Sequence, residues 1–293
     1  MIQGFSLLLL IYTSNFYAMS LLMLLMGLGS YLYITSSHYI LNSTFNSSSS
    51  DRVNIISAQA IITNVGMLLS AILMGYCADG YYLSIFIAIA VLMLIVSLAA
   101  SRINLNIHEI SESSKNNNSK VEKFLYCTLG LLSIGAIGMM YSFHRVGYPI
   151  FLSNIFGNIS TGYLMAVNPL IIIFLQKYVA DKFSKTNELL TICTGLFLFS
   201  LSFLILNLSS TIYQILLSCC ILTIGEILST TYAQSIVFGY SPIKMRGRIL
   251  GVYKATYSVT KLIGSYLAGS ILYYSEYHML WLLSGVIGFI IFL

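Results

Sequence analysis

The sequence predicts an all-α, polytopic membrane protein with about ten transmembrane helices. Hydrophobic residues fill 58% of its 293 positions and charged residues only 8%, a balance foreign to soluble domains of this size. The apolar residues gather into ten blocks of membrane-spanning length, a helix needing ~20 residues to cross a ~30 Å hydrocarbon core. The Lys and Arg residues fall almost wholly in every second connection between those blocks, as the positive-inside rule requires of a multi-pass chain.

The first block, 2–16, has no positive segment ahead of it, and a second block, 17–40, follows at once. It therefore reads as a helix rather than a secretory leader. An Asn- and Ser-rich stretch from Asn42 to Arg52 leads to the blocks 53–76 and 82–100. The polar run 101–122 is too poor in apolar residues to fold alone and reads as a cytoplasmic linker. It separates an N-terminal part of four helices, 1–100, from a C-terminal part of six, 123–293. The six are blocks 123–151, 160–178, 187–207, 211–238, 249–273 and 277–293. Small residues recur within the blocks, among them Gly27, Gly29, Gly66, Gly75, Gly130, Gly135, Gly138, Gly264 and Gly269. In lipid such positions let helices approach closely.

One face of this topology holds Arg52, Arg102, Lys115, Lys120, Lys123, Lys177, Lys182, Lys185, Lys244, Arg246 and Arg248. Arg145 alone lies toward the other face, and Lys254 and Lys261 fall inside a helix. The cationic face is then cytoplasmic, both termini lie on it, and the chain is expected in an inner (plasma) membrane. The net charge of +5 follows from this topology, and no nucleic acid is expected as a partner. The five Cys and four His have no metal-ligand spacing. Without a nucleotide loop or a nucleophile–base constellation, neither an enzyme nor a cofactor is expected.

Ionisable residues inside a membrane cost about 2.5–3.5 kcal/mol each on insertion scales and mark candidate sites. Glu226 sits mid-helix in Ile224-Gly225-Glu226-Ile227. It either faces a cavity as a binding group or pairs with Lys254 or Lys261. Those two lysines are two turns apart on one helix face, with Tyr257 between them. They form an anion-attracting stripe, or Lys261 pairs with Glu226 while Lys254 snorkels to the cytoplasm. His144 titrates near neutral pH and suits proton carriage. With Arg145 it is alternatively a wetted residue at the outer mouth of its helix.

Several short motifs occur in order. They are Met26-Gly27-Leu28-Gly29, Thr63-Asn64-Val65-Gly66 followed by Gly75-Tyr76, Val167-Asn168-Pro169-Leu170, the loop Tyr178 to Lys185, Gly225-Glu226, and Ser241-Pro242 with Arg246-Gly247 and Leu250-Gly251. The set resembles the major facilitator superfamily, and within it the proton-dependent oligopeptide transporter branch. Drug-efflux members share several of the motifs. The resemblance implies the superfamily fold, with the first helix here matching the third of the family and the first two absent. It also implies secondary active transport in a lipid bilayer: proton-coupled symport of small solutes such as peptides by alternating access.

On the same resemblance Asn64, Asn168 and Glu226 occupy the places that hold a substrate's amino terminus. A carboxylate and two amide oxygens would offer three acceptors to the three donors of an ammonium. His144-Arg145-Val146-Gly147 matches the coupling motif, with His144 in place of its Glu. Asp181, Lys182 and Lys185, with Arg246, match a cytoplasmic gate, or simply fix topology. Leu32 stands where the family often carries a Lys for the peptide carboxylate, leaving Lys254, Lys261 with Tyr257, or Arg145 to supply a cation. Two rival expectations are a drug or metabolite exporter of the same superfamily and a truncated, non-transporting remnant.

Overall fold

The computed structural model describes residues 1–44, 49–77, 82–102, 120–242, 245–275 and 277–292. Most of the expected linker, including Lys115, lies outside the described residues, as does Lys244. The same holds for the side chains of Arg52, Tyr76, Cys77, Lys120 and Lys123. Among the described residues the chain forms ten helices: α1 (Ile2–Ile11), α2 (Phe16–Thr44), α3 (Ser49–Cys77), α4 (Tyr82–Ser101), α5 (Lys120–Phe156), α6 (Asn158–Phe183), α7 (Glu188–Asn207), α8 (Ile212–Tyr240), α9 (Arg246–Tyr274) and α10 (Tyr277–Phe292).

Seven of these are long and apolar enough to cross a membrane. Helix α9 has the length, with 29 residues, but carries Arg246, Arg248, Lys254 and Lys261. The first block departs from expectation. Its helix has only 10 residues, a rise of about 15 Å or half the hydrocarbon core. The cause is local. The Thr13 hydroxyl donates back to the Leu9 carbonyl at 2.7 Å, and Asn15 Oδ1 accepts from the amides of Tyr17 and Ala18, which starts α2. An Asn in that place is a strong N-cap.

Two compact units result: Met1–Asn46 with Tyr76–Ser111, and Ser47–Gly75 with Glu112–Leu293. In the first, α1 packs on α2 and α4, burying Leu7 and Ala90. Most large apolar side chains of α2 and α4 are exposed, as suits helices solvated by acyl chains. In the second, α3 joins α5 to α10. Its core mixes aliphatic with aromatic side chains: Trp281 stacks on Phe203 at 5.9 Å, and Phe143, Phe199 and Tyr232 are fully buried in the same cluster.

Glycines set the closest helix pairs of this unit. Gly195 of α7 and Gly225 of α8 face one another so closely that a Cβ on Gly225 would lie 2.7 Å from the Gly195 carbonyl oxygen. Gly138 and Gly264 do the same for α5 and α9: a Cβ on Gly264 would lie 2.9 Å from the Met139 carbonyl oxygen. Gly27, Gly66 and Gly269, expected as packing positions, instead face open space. Two helices contain a proline, Pro149 in α5 and Pro169 in α6. Each removes one backbone bond, so α6 is loosened beside Asn168. Gly157, at φ 78°, turns the chain from α5 into α6, a conformation open to glycine because it has no Cβ.

Candidate functional site

The site is built outward from the contact between α7 and α8. Because Gly225 brings the α8 backbone against α7, the next residue, Glu226, is carried toward α6. Asn168 meets it there: its Nδ2 donates to Glu226 Oε2 at 3.1 Å and to Thr223 Oγ1 at 3.0 Å. Thr230 Oγ1 donates to the Glu226 carbonyl at 2.6 Å, tying down the helix turn that carries the carboxylate. Two of the three residues expected to hold an amine are therefore in direct contact. The third, Asn64 on α3, is 5% exposed and donates to its own helix at Ala60 O, 2.8 Å away. Its Oδ1 is buried with no partner, an acceptor left open.

The Glu226 carboxylate is hydrogen-bonded by Asn168 rather than by a lysine. The Arg145 guanidinium donates to the Tyr141 hydroxyl at 2.8 Å and to the Met67 sulfur of α3 at 2.9 Å. Its Cζ lies 5.1 Å from the Tyr141 ring centre. Lys261 approaches the same ring at 5.8 Å and the Tyr257 ring at 5.3 Å. Lys254 lies 5.5 Å from the Tyr253 ring and is half-buried. The lysine stripe is thus an aromatic-backed row.

His144 lies on a different face of α5 from Arg145. It is buried, stacks on Tyr148 at 4.5 Å and lies 6.4 Å from the Phe203 ring, with Nδ1 unpartnered. It is not a wetted residue at the helix mouth, because its neighbours one turn away, Tyr141 and Tyr148, enclose it. Arg145 is exposed.

At the far end of α6, Asp181, Lys182 and Lys185 are exposed. Asp181 and Lys177 line a cavity of about 500 Å³ with Asn54, Ser57, Ala58 and Ile61 of α3. Arg246 opens α9 with its guanidinium 5.1 Å from the Phe238 ring centre. Sequence reasoning missed two features here. Gln176 donates to Thr231 Oγ1 at 2.9 Å and to Ser57 Oγ at 3.3 Å, a buried polar junction of α3, α6 and α8. Its signal was a lone Gln directly after the apolar run Ile171 to Leu175. Tyr232 donates to the Ala180 carbonyl at 2.8 Å, and Ser235 to Glu188 Oε1 at 3.0 Å, which fastens α8 to the α6–α7 turn.

A helical membrane bundle with a few polar residues pointed inward is an architecture shared by many transport proteins. A family profile for the Major Facilitator Superfamily matches residues 1–237 and again 130–293. The chain belongs to that superfamily. It is therefore a multi-pass membrane transporter rather than an enzyme. No curated protein matches it in sequence, but solved structures share the superfamily fold. A POT family transporter in complex with 5-aminolevulinic acid matches with a TM-score of 0.74 at 16% identity, covering 99% of this chain and 78% of that one. The human organic anion transporter MFSD10 matches with a TM-score of 0.72 at 13% identity, covering 99% and 74%. A bacterial homologue of the iron transporter ferroportin, in an outward-facing state, matches with a TM-score of 0.63 at 14% identity, covering 99% and 80%.

Proposed function

We propose that this superfamily member is a proton-coupled symporter of the inner (plasma) membrane that takes up small amine-bearing solutes, peptides among them. The observation that carries the reading is the Asn168–Glu226 hydrogen bond at 3.1 Å. It sets a carboxylate beside an amide between two membrane helices, where an ionisable group is costly unless it has work to do. The open Oδ1 of Asn64 is a further acceptor for an ammonium. The structurally similar POT family transporter that holds 5-aminolevulinic acid binds a solute with an amine, which agrees with this assignment.

Glu226 carries the proton, since His144 is enclosed by aromatic rings and Arg145 does not release one. Alternating access exposes the site to each side in turn. The domain division proposed for it is 1–100 and 123–293, joined by the linker 101–122, with both termini in the cytoplasm. Asp181, Lys182, Lys185 and Arg246 serve as the cytoplasmic gate. In proteoliposomes with an acidic exterior, a labelled dipeptide should accumulate faster than in empty vesicles. A protonophore should abolish the difference, and Glu226→Gln should remove it. Uptake equal to that of empty vesicles would overturn the proposal.

A further inference from the structure

Asn168 is held by two groups of α8, Thr223 and Glu226, which lie three residues apart and so share one helix face. Its Nδ2 donates to Thr223 Oγ1 at 3.0 Å and to Glu226 Oε2 at 3.1 Å. A side-chain amide has two ends of opposite character, N–H donors on one and an acceptor oxygen on the other. The end that faces a ligand decides which ligand is accepted. Thr223 settles that choice. It is completely buried, and its Oγ1 lies 2.7 Å from the Cys219 carbonyl oxygen one turn earlier in α8. A carbonyl oxygen only accepts, so the single hydroxyl proton goes there, and Thr223 has only lone pairs left for Asn168. An amide turned over would set Oδ1 against those lone pairs with no proton between them. Nδ2 must therefore face α8, and Oδ1 turns away from it, open on a half-buried residue.

Glu226 alone does not hold this orientation. An ionised carboxylate accepts from Nδ2, but a protonated one carries an O–H that donates, and it then bonds equally well to Oδ1 of a turned amide. Thr223 keeps the same character in both states. We infer that Thr223 is a positioning residue for amine selection, which keeps the Asn168 carbonyl toward the solute whether or not Glu226 carries a proton. This rests on the reading of Asn168 and Glu226 as the amine site. With Thr223 in place the amide oxygen always asks for an N–H donor, and a solute that brings only acceptors is refused.

The test measures the thermal stability of the detergent-purified full chain against two probes. Alanylalanine carries the amine, and 2-methoxypropanoyl-alanine carries an ether oxygen, an acceptor, in its place. The series runs from about pH 7 to about pH 4, which spans the ordinary Glu range while the amine stays charged. Wild type and Thr223→Ser should prefer the amine about tenfold at the neutral end and still about threefold or more at the acid end. Thr223→Val and Thr223→Ala, both without the hydroxyl, should match wild type at the neutral end and fall to within about twofold at the acid end. A hydroxyl-free variant that keeps the wild-type preference at acid pH overturns the role of Thr223 and leaves the amine site standing. So does one that loses the preference equally at every pH, which marks general damage, or a Thr223→Ser that behaves like Thr223→Val. A wild type indifferent to the amine throughout, including one stabilised by neither probe, overturns the amine reading and the role of Thr223 together.

Discussion

Replacing Gly225 by Ala tests whether the α7–α8 contact, and with it the seat of Glu226, is as tight as the coordinates show. The added methyl would lie 2.7 Å from the Gly195 carbonyl oxygen and 2.9 Å from the Phe199 amide nitrogen, where ordinary contact begins at 3.4 Å. Both obstacles are backbone atoms of a regular helix, so no side chain can swing aside. The helices must part by about 0.7 Å, and an overpacked interior of this kind costs about 1–3 kcal/mol. Ala also gains about 1 kcal/mol in helix propensity over Gly. Gly269→Ala is the matched control: its Cβ meets nothing within 4 Å, so only the propensity gain applies. Subtracting the two leaves the clash alone, about 1–3 kcal/mol, or about 2–12 °C in melting temperature for a unit of this size. The assay is the heat-dependent loss of the monodisperse peak in detergent size-exclusion chromatography. If Gly225→Ala melts with Gly269→Ala or above it, the two backbones are not in contact and the placement of Glu226 loses its support.

Three further outcomes are expected. Asn168→Ala removes the donor to Glu226 and should weaken binding of an amine-bearing solute by about tenfold, read as a shift in half-saturating concentration with little change in melting temperature. Gln176→Leu strands the Thr231 and Ser57 hydroxyls in a dry junction and should cost about 1–3 kcal/mol. An unchanged melting temperature would show that this junction is wet. Thr211→Ala breaks the capping box that Thr211 forms with Gln214 at the start of α8 and should lower stability by about 0.5–2 kcal/mol, which Thr211→Ser should restore.

Helix number and order were readable from the apolar blocks, because in a bilayer every backbone group must be satisfied within its own helix. The true length of α1 was not. Apolar content says nothing about the Asn15 cap that ends the run early and begins the next helix. The glycines show the same divide. Gly138, Gly225 and Gly264 sit at backbone contacts and Gly66 and Gly269 in open space, yet all look alike in sequence, since which face a residue presents depends on the neighbour it meets. In the site, Asn168 and Glu226 were paired by resemblance and prove to be bonded. The bond to Glu226 comes from Asn168 of α6 rather than from Lys254 or Lys261 of α9, a partnership no local spacing encodes. The enclosure of His144 was readable in principle: Tyr141, His144 and Tyr148 fall three and four apart, on one side of a helix.

The backbone contact between α5 and α9 has a consequence for the charges these two helices carry. Arg145 and Lys261 ride on two helices fastened at Gly138, Gly264 and the Ser142–Lys261 bond. They are jaws cut from one block, with no hinge between them. In the alternating-access cycle proposed above, α5 and α9 would move as one body, and the distance between these two charges would not change.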